Sequence, residues 1–293
     1  VFAVTRVIFI PQGEFVAFGA LTLAGMQGGK TPGTVWLLLG AGVLVSVVEL
    51  AIAGLRRRYK GLPRVFAWNL AYPGALALLF STTNPAQLPL AVQVLLSLAL
   101  VVPLGPMLYR LAYQPLAEAS VLVLLIVSVA VHLGLVGLGL LFFGAEGSRT
   151  PAFTEGSFDL AGVAINGQTA WVVAASAVLI AVLYQYFERT LSGKALRATA
   201  INRSGARLMG ISTVMAGKLS FLLAAAIGAF SGILIAPITT VYYDTGFLVG
   251  LKGFVGAIIG GLASYPLAAA GAVLVGLLES YSSFWASAYK EVI

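Results

Sequence analysis

Long apolar runs, separated by short charged clusters, constrain this chain more than any other feature. Cut at charges, prolines and polar stretches, the sequence leaves apolar segments at about 1–26, 34–55, 67–80, 88–109, 120–143, 170–187, 214–239, 247–262 and 266–286. A helix needs about 20 apolar residues to cross a bilayer core, and most of these runs approach or reach that length. Charged residues are 9% of the 293 and hydrophobic ones 60%, against ~25% charged in a soluble domain. Too few polar side chains exist to cover a water-facing surface. The expected fold class is therefore all-α: a polytopic membrane helix bundle with about eight or nine membrane segments. It forms one domain over 1–293, because polar stretches of about 25 residues are too short to fold alone.

Three segments depart from a plain span. The run at 67–80 is short, 1–26 is broken by Arg6 and by Pro11-Gln12-Gly13-Glu14, and 247–262 carries Lys252 and five glycines. These are expected to be tilted, broken or re-entrant. Irregular backbone at membrane depth survives only against protein or a water-filled cavity. Candidate translocation-route residues are therefore Gln12, Glu14, Phe15, Phe247, Lys252 and Phe254, with the phenylalanines as an apolar constriction and Glu14 and Lys252 as local polarity. The alternative is structural: intramembrane charges usually pair, and Glu279 is placed to meet Lys252. His132, mid-span, reads as an interhelical hydrogen-bonding group rather than a proton relay. Glu49 and Lys218 lie near cytoplasmic ends, where long side chains reach water. Gly228-x-x-x-Gly232, Gly246-x-x-x-Gly250 and Gly256-x-x-x-Gly260 have the spacing of close helix packing, within the chain or against another.

Charge sets the orientation. Loop 56–66 holds Arg56, Arg57, Arg58, Lys60 and Arg64 with no acid, and loop 188–211 holds Arg189, Lys194, Arg197, Arg203 and Arg207 against Glu188. Loop 144–169 has Arg149 against Glu146, Glu155 and Asp159. The positive-inside rule puts the first two in the cytoplasm, the third outside, and loop 110–119 inside. The net charge of +7 thus marks cytoplasmic loops, not a nucleic-acid surface. Both chain ends are expected to be trimmed, and no signal peptide is recognisable.

Several chemistries are excluded. Cysteine is absent and His132 is the single histidine, so thiolate and histidine-rich metal sites are not expected. Ten scattered acids offer no cluster for a membrane enzyme. The stretch Gly25 to Thr31 imitates a phosphate-binding loop, but it has three residues, not four, between its first Gly and Gly-Lys-Thr, and it ends an apolar helix rather than a strand. If ATP is used, another chain binds it.

The cytoplasmic segment 192–211 carries the clearest local signal. Asn202 is a good N-cap and Gly210 a good C′ residue, which predicts a helix of about two turns over 203–209. A helix this short is unstable alone in water and needs a docking partner; the plain alternative is a basic loop resting on lipid headgroups.

Here the sequence resembles a known family. Gly193-Lys-Ala-Leu-Arg-Ala-Thr-Ala200 followed by Ala206-Arg-Leu-Met-Gly-Ile211 is similar to the coupling loop of bacterial branched-chain amino acid ABC permeases. Gly246 to Phe254, the turn Gly260-Gly-Leu-Ala-Ser-Tyr-Pro266, Gly276 to Glu279 and Tyr289 to Val292 resemble further stretches of that family, as does Val7 to Phe15 more weakly. Departures are Pro11-Gln12 in place of Ala-His, Ala263 in place of Gly, and an apparent insertion over 57–87. The resemblance implies a multi-pass permease subunit of the bacterial inner membrane that imports branched-chain or other apolar amino acids. It implies a sister permease, two cytoplasmic ATPase subunits that hold ATP and Mg, and a periplasmic substrate-binding protein. Membrane lipid surrounds the chain, and no cofactor belongs to the chain itself. ATPase-coupling contacts would be Arg203, Ala206, Arg207, Leu208 and Met209. The alternative is an ion-coupled secondary transporter, which would favour midplane acids and inverted repeats.

Overall fold

The computed structural model describes residues 1–57, 59, 61–160, 163–261 and 265–285. Arg58 and Lys60 of the first basic loop, residues 262–264 of the turn before Pro266 and the Tyr289 to Val292 stretch lie outside the described residues. After a single turn at Phe2–Thr5, the chain runs through α1 (Gln12–Gln27), α2 (Gly33–Arg56), α3 (Leu62–Thr82), α4 (Leu90–Leu116) and α5 (Val121–Phe143). Next come a two-stranded antiparallel ribbon, β1 (Ser157–Leu160) and β2 (Val163–Asn166), then α6 (Gly167–Arg189), α7 (Leu191–Ile201) and α8 (Arg203–Leu208). The chain closes through α9 (Thr213–Ile235), α10 (Gly246–Ile259) and α11 (Tyr265–Trp285). Among the described residues, seven helices are long and apolar enough to cross a membrane: α2 to α6, α9 and α11. The all-α membrane bundle is thus observed, with the ribbon as a small addition in the loop between α5 and α6.

Two expected boundaries need correction. The short run at 67–80 is part of a full-length helix that starts at Leu62 and passes through a π-helical turn at Ala67–Ala71. Counting apolar residues stopped at Arg64, although a cation at a helix end can reach water. Likewise α4 continues past Arg110 through a second π-helical turn, Tyr109–Tyr113. Arg110 is accommodated there because its Nε donates to Glu49 Oε1 at 2.6 Å across the α2–α4 contact. Glu49 is therefore held in an interhelical ion pair, with 23% of its side chain still exposed.

The core forms around α1. From Gly13 to Leu23 every α1 residue is buried, so this helix is enclosed by protein. Its partner α9 approaches closely: a Cβ added at Gly232 would lie 1.9 Å from the Val16 carbonyl oxygen. At the N-terminal end of α1, Gly13 faces Gly246 of α10, and a Cβ at Gly13 would lie 1.8 Å from the Gly246 oxygen. Without a strong hydrophobic drive between helices in lipid, such backbone approach supplies the packing. Gly256 and Gly260 in turn meet Ala272 and Ala268 of α11. All three Gly-x-x-x-Gly pairs thus pack within the chain. Phe15, Phe18, Met26, Leu38, Phe80, Leu100 and Ala229 fill the space around α1. A second cluster stacks Phe9, Tyr109 and Tyr113 around Phe221, with centroids 4.5–5.1 Å from it. By contrast α6 buries only Gly167 and Gln168.

Loops gather on two faces. Arg203 and Arg207 of α8 reach Ala117 and Glu118 after α4, and Glu49 meets Arg110 near the same end. Opposite, Ser148 and Val241 form a β-bridge, and Gln27, Ala86 and Ala152 border one cavity of about 310 Å³. The loops are thus grouped by face as the basic clusters group them.

Candidate functional site

Two places answer to the site residues named from sequence. The first is the connection between α6 and α9. Thr190 Oγ1 accepts from Gly193 N at 3.0 Å and starts α7, and Asn202 Oδ1 accepts from Gly205 N at 2.9 Å and starts α8. Both are the N-caps that Thr and Asn are suited to be. Gly210 ends α8 at φ 80°, with Ile211 N donating to Ala206 O at 2.9 Å. The segment is therefore two helices; sequence reading found α8 but not α7, whose signals were the Thr190 cap and the inward spacing of Leu196 and Thr199, both buried.

The five residues named for this loop divide by direction. Arg203 Nη1 donates to Ala117 O at 3.2 Å, and Arg207 Nη1 lies 3.5 Å from Glu118 Oε1. Ala206 is 5% exposed. Arg203 and Ala206 hold α8 against the rest of the chain, while the Arg207–Glu118 pair is exposed on both sides and adds little. Leu208 and Met209 point away, at 88% and 83% exposure. An exposed Leu-Met pair at the tip of a capped, braced short helix is an apolar knob on a fixed base. The bracing partners Ala117 and Glu118 were not foreseen, since nothing local in the sequence links positions so far apart.

The second place is where α1, α5 and α10 meet. Glu14, in the first turn of α1, is fully buried, where the helix N-terminus favours an anion. His132 Nδ1 of α5 lies 2.8 Å from its Oε1, and Oε2 has no hydrogen-bond partner. The ring of Phe247 lies tilted over His132 at 5.0 Å, and Gln12 Nε2 donates to Ala224 O of α9 at 2.8 Å. Gln12, Glu14 and Phe247 are thus brought together by the Gly13–Gly246 approach. Phe15 instead enters the core, 1% exposed beside Phe9 and Gly228. Lys252 and Phe254 sit further along α10: Lys252 Nζ donates to Glu279 Oε1 of α11 at 2.7 Å, and Phe254 is exposed. The Lys252–Glu279 pairing expected from sequence is present. His132 was read as an interhelical hydrogen-bonding group, and its partner proves to be Glu14. The route residues border neither of two cavities on the chain, one of about 310 Å³ near Gln27 and Gln93 and one of about 120 Å³ near Arg56. No group of His, Asp and Glu with metal-site geometry occurs among the described residues.

Comparison with known proteins agrees with this architecture. Residues 65–293 match the family model described as branched-chain amino acid transport system / permease component. The high-affinity branched-chain amino acid transport system permease protein LivH of Escherichia coli (strain K12) is 29% identical over 193 residues, 63% of this chain and 62% of the relative. The corresponding permease protein BraD of Pseudomonas aeruginosa is 26% identical over 196 residues, 64% of each chain. The probable branched-chain amino acid transport permease protein LivH of Methanocaldococcus jannaschii is 29% identical over 186 residues, 61% of this chain and 59% of the relative. The chain thus spans about three fifths of the length of the curated relatives it matches. No solved structure matches it. With its seven long apolar helices, it is a multi-pass protein of the cytoplasmic membrane. Because the model match covers more than three quarters of the sequence, the chain belongs to the branched-chain amino acid transport system permease component family.

Proposed function

We propose that this chain is the membrane permease subunit of a bacterial ABC importer for amino acids with branched or otherwise apolar side chains. It works with a sister permease, two cytoplasmic ATPase subunits carrying ATP and Mg, and a periplasmic substrate-binding protein. The chain itself makes and breaks no bond. The observation that carries this reading is the geometry of α8: Leu208 and Met209 are presented outward while Asn202 caps the helix, Ala206 is buried beneath it and Arg203 and Arg207 contact Ala117 and Glu118. A knob that inserts in a groove of an ATPase subunit transmits force only if its base is tied to the membrane helices. The ties at Ala117 and Glu118 lead directly into α4 and α5.

The solute route runs at an interface between permease subunits, bordered from this chain by the α1 start and the exposed face of α10. Phe247 and Phe254 supply apolar surface there and Lys252 and Gln12 set local polarity, while Glu14, buried behind them, acts only through its contact with His132, a mixture suited to an amino acid with an apolar side chain. The test reads uptake by the assembled importer in proteoliposomes. Leu208→Glu combined with Met209→Glu places unpaired charge in the proposed groove. Uptake and solute-stimulated ATP hydrolysis are expected to fall at least about tenfold, the equivalent of about 1.4 kcal/mol of coupling, with the permease still inserted. Normal uptake by that variant overturns the assignment.

A second reading, an ion-coupled secondary transporter, is favoured by one observation: the buried Glu14–His132 pair is the kind of intramembrane ionisable group that such carriers use. Solute uptake driven by a proton gradient in vesicles lacking any ATPase subunit would support that reading and reject the first.

A further inference from the structure

We propose that the cavity at the end of α1 remote from Gln12 is a second solute site, which holds a net-neutral amino acid with an apolar side chain before it reaches the route. The inference rests on the proposed function for the identity of the solute, and on the cavity for the place. The cavity, of about 310 Å³, lies on the face opposite the basic clusters. It is enclosed by Gln27 at the end of α1, Leu88 and Leu90 around the start of α4, and Phe153 of the α5–α6 loop. Its volume falls at the lower end of the range for small-molecule sites, about 300–1,000 Å³. Its walls are tied to the bundle. Gln93 Nε2 donates to Pro85 O and to Leu88 O, each at 3.0 Å. Phe153 N donates to Gln168 Oε1 at 3.0 Å, and Gln168 Nε2 donates to Leu234 O at 2.9 Å. The loop wall is thus joined to α9 through a buried glutamine.

Two amides of the lining have unmet hydrogen-bonding capacity. Gln93 is 4% exposed, and its Oε1 has no partner. The amide cannot be turned over, because its oxygen would then face two carbonyl oxygens. Oε1 therefore remains an acceptor that needs a donor, a state that native structures seldom leave unanswered. Gln27 Oε1 is also unpartnered. Among the described residues no hydrogen bond holds the Gln27 side chain, so its amide turns to offer either an oxygen or an N–H. Gln93 calls for a donor, and Gln27 serves a donor or an acceptor. An α-amino acid presents both, an ammonium and a carboxylate on one carbon. Charge points the same way: among the described residues no ionisable side chain borders the cavity. An ion of net charge would lose water there without a counter-charge, whereas a zwitterion is net neutral. Leu88, Leu90 and Phe153 supply an apolar wall for the side chain. Gln12, beside the route, stands about 22 Å from Gln27 along the α1 axis, so the two sites are separate stations at the ends of one helix. The headgroup of phosphatidylethanolamine carries the same pair of charges, and the test separates it from a free amino acid.

The test uses the full chain in phosphatidylcholine nanodiscs without ATPase subunits, and reads the binding of radiolabelled L-leucine by equilibrium dialysis. Saturable binding is expected. It should weaken at least about tenfold, the equivalent of about 1.4 kcal/mol, in Gln93→Leu, in Gln27→Leu and in Ala86→Trp, which fills the cavity from an exposed position on its rim. The last two remove no side-chain hydrogen bond of the fold, so they decide the matter even where Gln93→Leu fails to fold. Isoamylamine, which lacks the carboxylate, and isocaproate, which lacks the ammonium, are expected to displace leucine at least about tenfold less well than leucine itself. Absence of leucine binding, or equal binding by the parent and the cavity variants, overturns the proposal. Displacement by isoamylamine as strong as by leucine overturns it in favour of a cation site. Loss of leucine binding when phosphatidylethanolamine replaces phosphatidylcholine overturns it in favour of that lipid's headgroup. Leucine uptake by the assembled importer separates this site from the proposed function. ATP-driven uptake without binding to the isolated chain leaves the function standing and removes the site; binding without such uptake does the reverse.

Discussion

Charged side chains in this protein are handled pair by pair. Burying one ion without a partner costs several kcal/mol, and pairing offsets it only when the geometry is good. The contacts Glu14–His132, Glu49–Arg110 and Lys252–Glu279 each join two helices, so each tethers elements as well as offsetting a charge. Glu14 is the most demanding, being fully buried with one oxygen unpartnered. Changing His132 to Leu is expected to destabilise the fold by about 1–3 kcal/mol, the cost of leaving a buried polar group without its hydrogen-bond partner. Adding Glu14→Leu to that variant should restore most of the loss, since the two apolar chains then face one another. Thermal unfolding in detergent would check both steps; a double variant no more stable than His132→Leu alone would contradict the pairing. The sequence marked Glu14 and His132 as residues that need a reason at membrane depth. It left open that each is the other's reason, because they lie 118 positions apart.

Among the elements, caps and glycines divide the work. Ser120, Asn166, Thr190, Asn202 and Ser212 each accept a backbone N–H at a helix start, and such residues are recognisable locally. The glycines are not: the chain has 34, and spacing alone does not tell which face a neighbour. Gly232 meets the Val16 backbone, whereas Gly54 has open space. Gly232→Val is therefore expected to abolish folded yield or lower Tm by more than about 10 °C, as a multi-kcal/mol overpacking does. Gly54→Ala should leave Tm unchanged or slightly raised, because Ala favours the helix by about 1 kcal/mol. Comparable Tm values for the two variants would refute the α1–α9 contact. The π-helical turns in α3 and α4 also escaped sequence reading, since an extra residue in a turn changes no composition.

The whole molecule is a bundle with one enclosed helix, one well-packed side and an exposed remainder. Helices α6 and α11 present mostly apolar surface outward, as expected where lipid or a second subunit completes the environment. Orientation is testable at this scale. Ser157→Cys and Ser192→Cys, both at exposed positions, are expected to react with a membrane-impermeant maleimide from opposite sides, the first in intact spheroplasts and the second only after permeabilisation. Labelling of both from one side would overturn the topology.

Sequence alone determined the membrane class, the approximate spans and, to within a residue, the capped helix expected over 203–209 and observed at Arg203–Leu208, because each rests on composition or on residues within one or two turns of each other. Tertiary structure decided which helix is central, that Arg110 and Glu49 belong inside the packed region, that Arg203 and Ala206 turn inward while Leu208 and Met209 face out, and that Phe15 is core. In a chain this apolar, lipid-facing and protein-facing residues share one composition. Periodicity therefore carries little information about burial, and only the backbone approaches and long-range polar pairs show which faces meet.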